Sequence, residues 1–110
     1  ERFQFLINNI DFSNANSLLD IGCAKGELIY LLKEKYPNIK YTGLEYSQEL
    51  IDIALKEPFL KGVKFIKGDA QSFDLQKEFD IVVMSGVLSI FDEIDKVLKI
   101  MTKHIKNGGY

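Results

Sequence analysis

The sequence contains no tryptophan, one cysteine, one histidine, two prolines and two methionines in 110 residues. A lone cysteine, Cys23, cannot close a disulfide within the chain, so the expected setting is a reducing, cytoplasmic one. With neither a second cysteine nor a nearby histidine, Cys23 is no candidate for a metal ligand or a nucleophile, and no metal is expected. No apolar run approaches the roughly 20 residues of a membrane span, and no signal peptide is visible. Basic residues are not in excess: 14 Lys and Arg stand against 16 Asp and Glu, giving a net charge of -2 and a pI near 5.4. That balance offers no electrostatic support for a nucleic-acid partner. Internal repeats, low-complexity tracts and a domain boundary are also lacking, so the chain reads as part of one small domain.

What is present is organised around residues 16–28. The short apolar run Leu18-Leu19-Asp20-Ile21 ends in a turn bounded by Gly22 and Gly26, which opens into the periodic residues Leu28, Ile29, Leu31 and Leu32. Strand, glycine turn and helix form a unit that can offer backbone N–H groups and a helix N-terminus to a ligand. Gly22 and Gly26 permit a sharp turn and a close ligand approach. Asp20 sits within the apolar run, and a carboxylate withdrawn from water there needs a strong donor.

The rest of the chain repeats the alternation. Phe3, Leu6, Ile7 and Ile10 form a stripe at helical spacing, followed by a polar, linker-like stretch over residues 11–16. A first helix is expected over residues 26–36, stopped by Pro37. Strands are expected over residues 39–44, 63–66 and 79–84, with Ser47 as the N-cap of a helix running to about residue 56. Residues 73–75 read as a single turn. A last helix follows Phe91-Asp92-Glu93, with Ile94, Val97, Leu98, Met101 and Ile105 on one face. Such alternation predicts an α/β fold with a parallel sheet covered by helices on both faces.

Open sheets of this kind bind ligands beyond the carboxyl ends of their strands. The residues at those ends are Gly22 to Gly26, then Glu45, then Gly68-Asp69-Ala70, then Met84-Ser85-Gly86. Glu45 can accept two hydrogen bonds from a ribose diol or cap the helix at Ser47. Asp69 can serve a ligand or an ordinary turn. His104, the only histidine, lies far from these ends along the expected fold and reads as a structural or surface residue.

The stretch Leu19-Asp20-Ile21-Gly22-Cys23-Ala24-Lys25-Gly26 resembles the first motif of class I S-adenosylmethionine-dependent methyltransferases, with Ala24 in place of the middle glycine. The resemblance implies a Rossmann-like sheet of order 3-2-1-4-5 and S-adenosyl-L-methionine as cofactor. It implies that Asp20, with the backbone near Gly22 and Met84, meets the methionine end, and that Cys23, Ala24, Gly26 and Ser85 also bind the cofactor. It gives Glu45 to the ribose, and Tyr46, Asp69 and Ala70 to the adenine. Tyr46 can equally cover the sheet edge. Asp20 can equally tie the glycine loop to its own backbone. Methyl transfer demands mainly alignment, so no obligatory catalytic residue is expected within 1–110; Asp92 and Glu93 are weak base candidates that read rather as solvated acids starting a helix. A small-molecule acceptor is favoured over nucleic acid or protein, with no membrane. The alternatives are an NAD(P)-dependent oxidoreductase, whose fingerprint would need a small residue at Glu27, and a non-catalytic nucleotide-binding module.

Asn107-Gly108-Gly109 closes a helix, and Tyr110 reads as the start of another strand. The expectation is therefore the N-terminal cofactor-binding part of a domain, truncated after strand four and inactive alone. Its fourth strand would be an apolar edge open to self-association.

Overall fold

The computed structural model describes residues 7, 8, 10–85, 101–106 and 109. Its centre is β1 (Ser17–Ile21), in which all five residues are buried. The chain continues through α1 (Glu27–Lys35), β2 (Lys40–Glu45), α2 (Gln48–Leu55), a 3-10 turn at Pro58–Leu60, β3 (Lys64–Lys67) and β4 (Ile81–Met84). The strands form one parallel sheet of order β3-β2-β1-β4. A central strand covered on both faces needs apolar residues at successive positions, and Leu18-Leu19-Asp20-Ile21 supplies them apart from the aspartate.

Alternation along the strands divides the core. On one face Leu18, Tyr41 and Ile81 pack with Leu28, Ile29 and Leu32 of α1, Ala54 of α2 and Leu60. On the other, Leu19, Ile21, Leu44 and Val82 pack with Phe73 and Phe79, and Met101 and Ile105 cover them. Met101 belongs to a helical turn over residues 101–103, so helical structure lies on both faces. The remainder of the helix expected to start after Phe91 lies outside the described residues.

Register is fixed at the amino end of the sheet by a reciprocal clasp. Asp80 Oδ2 accepts from the N–H of Asn16 (2.7 Å) and Ser17 (3.1 Å), while Ser17 Oγ accepts from Asp80 N–H (3.0 Å). Those backbone donors, with Lys106 Nζ 3.5 Å away, hold the Asp80 carboxyl below the usual carboxylate range. The pairing brings β1 and β4 level, and Ile21 faces both Leu44 and Met84.

Several local expectations are corrected. Residues 11–16 are not a plain linker, because Phe12 is 1% exposed and meets Tyr36 edge-on at 5.5 Å. Ile10 is exposed and leaves the stripe that Ile7 follows into the core; Phe3 and Leu6 lie outside the described residues. The turn after β3 spans residues 69–73 rather than 73–75, because the Asp69 carbonyl accepts from Ser72 and Phe73 N–H, both at 3.0 Å. β4 begins at Ile81, since Phe79 turns aside to bridge Ile105. Residues 104–106 thus run beside the approach to β4, which ends the sheet among the described residues.

Candidate functional site

The parallel register sets the carboxyl ends of the strands along one edge. Glu45 lies opposite Lys67, and Ile21 opposite both Leu44 and Met84. The loops leaving these ends are bonded to one another. Gly22 N–H and Cys23 N–H both donate to Leu44 C=O, at 2.8 and 3.0 Å, so the loop after β1 folds back on β2. Ala24 N–H donates to Glu45 Oε1 (2.8 Å), and Ser47 N–H donates to Glu45 Oε2 (3.0 Å). Gly68 N–H donates to the Glu45 carbonyl (3.1 Å), which brings the loop carrying Asp69 to the same edge.

Backbone shape in the glycine loop follows from its residue types. Gly22, Ala24 and Gly26 all have positive φ, at 71°, 51° and 85°. Gly26 is the N-cap of α1, and a Cβ there would meet Leu60 Cδ1 at 2.8 Å. Ala24 carries a methyl group through the same left-handed region, which costs roughly 1–2 kcal/mol for an L-residue. Cys23 is 2% exposed, its sulfur lying over Gly43 of β2. Burial pushes its thiol pKa up, and its side chain faces the core while only its backbone lines the loop.

One expectation about this loop is reversed. The N–H groups of Gly22, Cys23, Ala24 and Gly26 are all taken within the protein, the last by Cys23 C=O at 2.8 Å. The loop therefore does not present those amides to a ligand. The edge is instead rich in acceptors and negative charge: Asp20, Glu45 and Asp69, with Glu27 in the first turn of α1.

Asp20 is fully buried, and among the described residues its partner is neither its own loop nor a basic side chain. Its Oδ1 accepts from Ser85 N–H (3.1 Å) and its Oδ2 from Ser85 Oγ (2.8 Å). Ser85 Oγ also lies 3.4 Å from Gly22 C=O, so one hydroxyl touches the exits of both β1 and β4. Burial pushes the Asp20 carboxyl up to about 7. The two Ser85 bonds oppose that rise, and the charges of Glu45 and Glu27 add to it.

Glu45 takes the capping role at Ser47 and a bond to the glycine loop besides. Its oxygens brace the glycine loop and the start of α2, where Ser47 Oγ accepts from Leu50 N–H at 3.3 Å. A carboxylate has about four lone-pair sites, so acceptor capacity toward the edge is left. Tyr46 is 70% exposed and does not cover the sheet. Asp69 is exposed and forms a turn, with Oδ1 accepting from Gln71 N–H at 2.9 Å. Ala70 packs its methyl against the Leu19 face, as does the half-buried Met84. Among the described residues no group of three or more His, Cys, Asp or Glu is placed to hold a metal ion, and no helix is long and apolar enough to cross a membrane. Asp92, Glu93 and Gly86 lie outside the described residues.

His104 was legible only as a structural or surface residue; it is structural and buried, 1% exposed. The signal that could have placed it inside is the apolar stripe of Met101 and Ile105 that flanks it.

A parallel sheet of this order, with a glycine turn after its first strand and an acid after its second, defines a Rossmann-like ligand-binding domain. The chain belongs to the family described as "Methyltransferase domain", which matches residues 12–110. It is 27% identical to the malonyl-acyl-carrier protein O-methyltransferase of Priestia megaterium over 94% of this chain and 39% of that protein. It is 33% identical to the demethylmenaquinone methyltransferase of Lactococcus lactis over 84% of this chain and 39% of that protein. The S-adenosylmethionine-bound structure of CalS10, an amino pentose methyltransferase from Micromonospora echinaspora, superposes with a TM-score of 0.75 at 29% identity, covering 87% of this chain and 41% of that one. The chain thus spans about two fifths of the length of these relatives. The family and the S-adenosylmethionine-bound CalS10 structure support S-adenosylmethionine as the cofactor.

Proposed function

We propose that this chain is the cofactor-binding part of an enzyme that transfers the methyl group of S-adenosylmethionine to a small-molecule acceptor. The observation that carries the reading is the bonded chain Gly22–Leu44, Ala24–Glu45–Gly68 and Asp20–Ser85, which joins four strand exits at one edge. The chemistry of that edge suits the group. A ribose diol, an adenine amino group and an ammonium are all donors, and the edge offers acceptors and carboxylates where the glycine-loop N–H groups are taken. When bound, the cofactor supplies a methyl group already activated by a positive sulfur.

The residues of this chain bind and orient. Glu45 takes the ribose diol on its remaining lone pairs, held in place by Ala24 and Ser47 N–H. Asp20, fixed by Ser85, faces the ammonium end together with the Gly22 and Met84 backbone. Asp69 and Ala70 take the adenine amino and ring-nitrogen side, and exposed Tyr46 is free to lie on the ring. Gly22, Cys23, Ala24 and Gly26 shape the loop by backbone alone. Alignment of this kind is worth about 7–11 kcal/mol of barrier in well-oriented systems, so the reading needs no general base from this chain.

The acceptor is read as a small molecule because relatives named for an acyl-carrier-bound malonyl group, a quinone and an amino pentose share this domain, and because the net charge is slightly negative. A cytoplasmic location goes with that reading. Calorimetric titration of the intact protein with S-adenosylhomocysteine and with NAD decides the matter. Saturable binding of the first and none of the second is expected; the opposite result would return the fold to dinucleotide chemistry.

A further inference from the structure

We infer that His104 is a positioning residue for the loop after β3, holding Asp69 and Ala70 where the adenine end is read by accepting a hydrogen bond from the Leu75 backbone. The inference rests on the cofactor reading above. Residues 68–80 link β3 to β4 without a regular element, and the bonds that shape residues 69–76 are partly local and partly to distant residues. Asp69 Oδ1 accepts from Gln71, the Asp69 carbonyl from Ser72 and Phe73, and Asp74 Oδ1 from Gln76 N–H at 2.8 Å. Such a loop keeps its internal shape yet needs distant anchors to fix where that shape sits. One anchor lies at the strand exit, Gly68 N–H on the Glu45 carbonyl.

The other end is held by residues 103 and 104. Leu75 N–H donates to His104 Nε2 at 3.0 Å, and the imidazole lies on the Phe73 ring with centroids 4.6 Å apart. Lys103 Nζ pairs with the exposed Asp74 carboxylate. The backbone of His104 and Lys106 grips Phe79, two residues before β4. Phe79 N–H donates to His104 C=O at 2.6 Å, and Lys106 N–H donates to Phe79 C=O at 2.8 Å. His104 therefore joins the loop to the sheet through its side chain on one side and its main chain on the other.

The chemistry requires a particular tautomer. Nε2 can accept only when it carries no proton, so the neutral ring has its hydrogen on Nδ1. The 3.8 Å separation of Nε2 from Asp74 Oδ1 is then proximity rather than an ion pair. A surface or purely space-filling histidine would need neither the acceptor nor the tautomer.

The test uses two variants of the intact protein and one measurement on the unmodified protein. His104→Phe keeps a ring on Phe73 but leaves the part-buried Leu75 N–H without its acceptor. His104→Gln places a carbonyl oxygen near the position of Nε2. S-adenosylhomocysteine affinity is expected to fall about tenfold in His104→Phe, the loss that follows from one missing hydrogen bond in the loop's anchor, and to return to within about threefold in His104→Gln. Amide exchange over residues 69–75 should rise in the first variant and recover in the second. Equal affinity and unchanged exchange in His104→Phe would overturn the inference, as would equal losses in both variants. Should His104→Phe not fold, nitrogen NMR of the unmodified protein still decides: a proton on Nδ1 supports the assignment and a proton on Nε2 refutes it. If the unmodified protein binds no S-adenosylhomocysteine, the cofactor reading fails, and the exchange and tautomer results still judge His104 separately.

Discussion

The buried carboxylate of Asp20, in the middle strand of the sheet, takes both donors of Ser85, its N–H at 3.1 Å and its hydroxyl at 2.8 Å, across the join between β1 and β4. The hydroxyl is the replaceable half. Ser85→Ala leaves the backbone bond and removes one partner from a buried acceptor, so unfolding stability should fall by about 1–2 kcal/mol. The Asp20 carboxyl should also rise further, because a hydrogen bond that lowers its pKa is lost. Denaturant titration gives the first quantity and carboxyl NMR the second. An unchanged Asp20 titration in Ser85→Ala would show that the hydroxyl does not hold it.

Burial sets the sign of a pH dependence. Asp20 is pushed up to about 7 from an ordinary value of 3.8, so the folded state holds a proton that the unfolded chain has released between those values. The protonated form's advantage is complete below pH 3.8, declines as pH rises and is gone above about 7. Over that window this group lowers stability by roughly 4 kcal/mol, and Asp20→Asn should flatten the slope. Ligand binding runs the other way. A cationic ammonium beside Asp20 requires the carboxylate, so S-adenosylhomocysteine should bind about tenfold more weakly one pH unit below the Asp20 pKa than on its high-pH plateau. Adenosine, which lacks the ammonium, should show no such dependence; a shared pH profile would remove Asp20 from the methionine end.

The sheet order and the strand exits were legible because each depends on residues close in sequence: an apolar run, a glycine turn, an acid at the strand end. What escaped the sequence depends on pairs distant along it. Phe12 sits among polar neighbours, and only its contact with Tyr36 reveals it as core. The loop amides that seemed available are used because Gly22 and Cys23 extend the ladder onto Leu44, a matter of register and not of residue type. Asp20 was rightly seen to need a donor, but Ser85 lies 65 positions away and no local pattern links them. His104 was assigned by its distance from the strand exits, whereas its bond to the backbone of Leu75, 29 positions away, leaves no local trace.

Glu45 tests the ribose assignment through its own dual bonding. Glu45→Gln replaces one accepting oxygen with an –NH2 group that must face either Ala24 N–H or Ser47 N–H, donor against donor. Stability should drop by about 1–3 kcal/mol, and S-adenosylhomocysteine affinity by about tenfold or more. Calorimetry under conditions where the variant is fully folded separates the two effects. Wild-type affinity in a folded Glu45→Gln protein would reduce Glu45 to a brace for the loop.

Ala24 gives a prediction of opposite sign. Its φ of 51° is strained for an L-residue and ordinary for glycine. Ala24→Gly should therefore raise stability by up to about 1 kcal/mol, the strain relief being partly offset by a more flexible unfolded chain. The N–H to Glu45 is retained, so ligand affinity should hold or improve. A lower thermal midpoint would mean that the methyl group makes a contact worth more than the strain.

Gly43 and Cys23 form a pair in which a strand residue is small because a loop side chain lies on it. A Cβ at Gly43 would stand 2.6 Å from Cys23 Sγ, 3.1 Å from Cys23 Cβ and 3.0 Å from Phe65 Cδ1. Gly43→Ala should cost about 1–3 kcal/mol by overpacking. Cys23→Ala removes the nearest of those atoms, so in that background the same substitution should cost less, with a coupling of about 0.5–2 kcal/mol. Relief should remain partial, because Cys23 Cβ and Phe65 stay close. The single variant carries a functional consequence as well. Cys23 follows Gly22 directly, so relieving the clash by moving the sulfur shifts the loop and should weaken S-adenosylhomocysteine binding, while the double variant recovers it. Strictly additive stabilities across the four proteins would show that the two residues do not press on each other, and the loop position would then need another explanation.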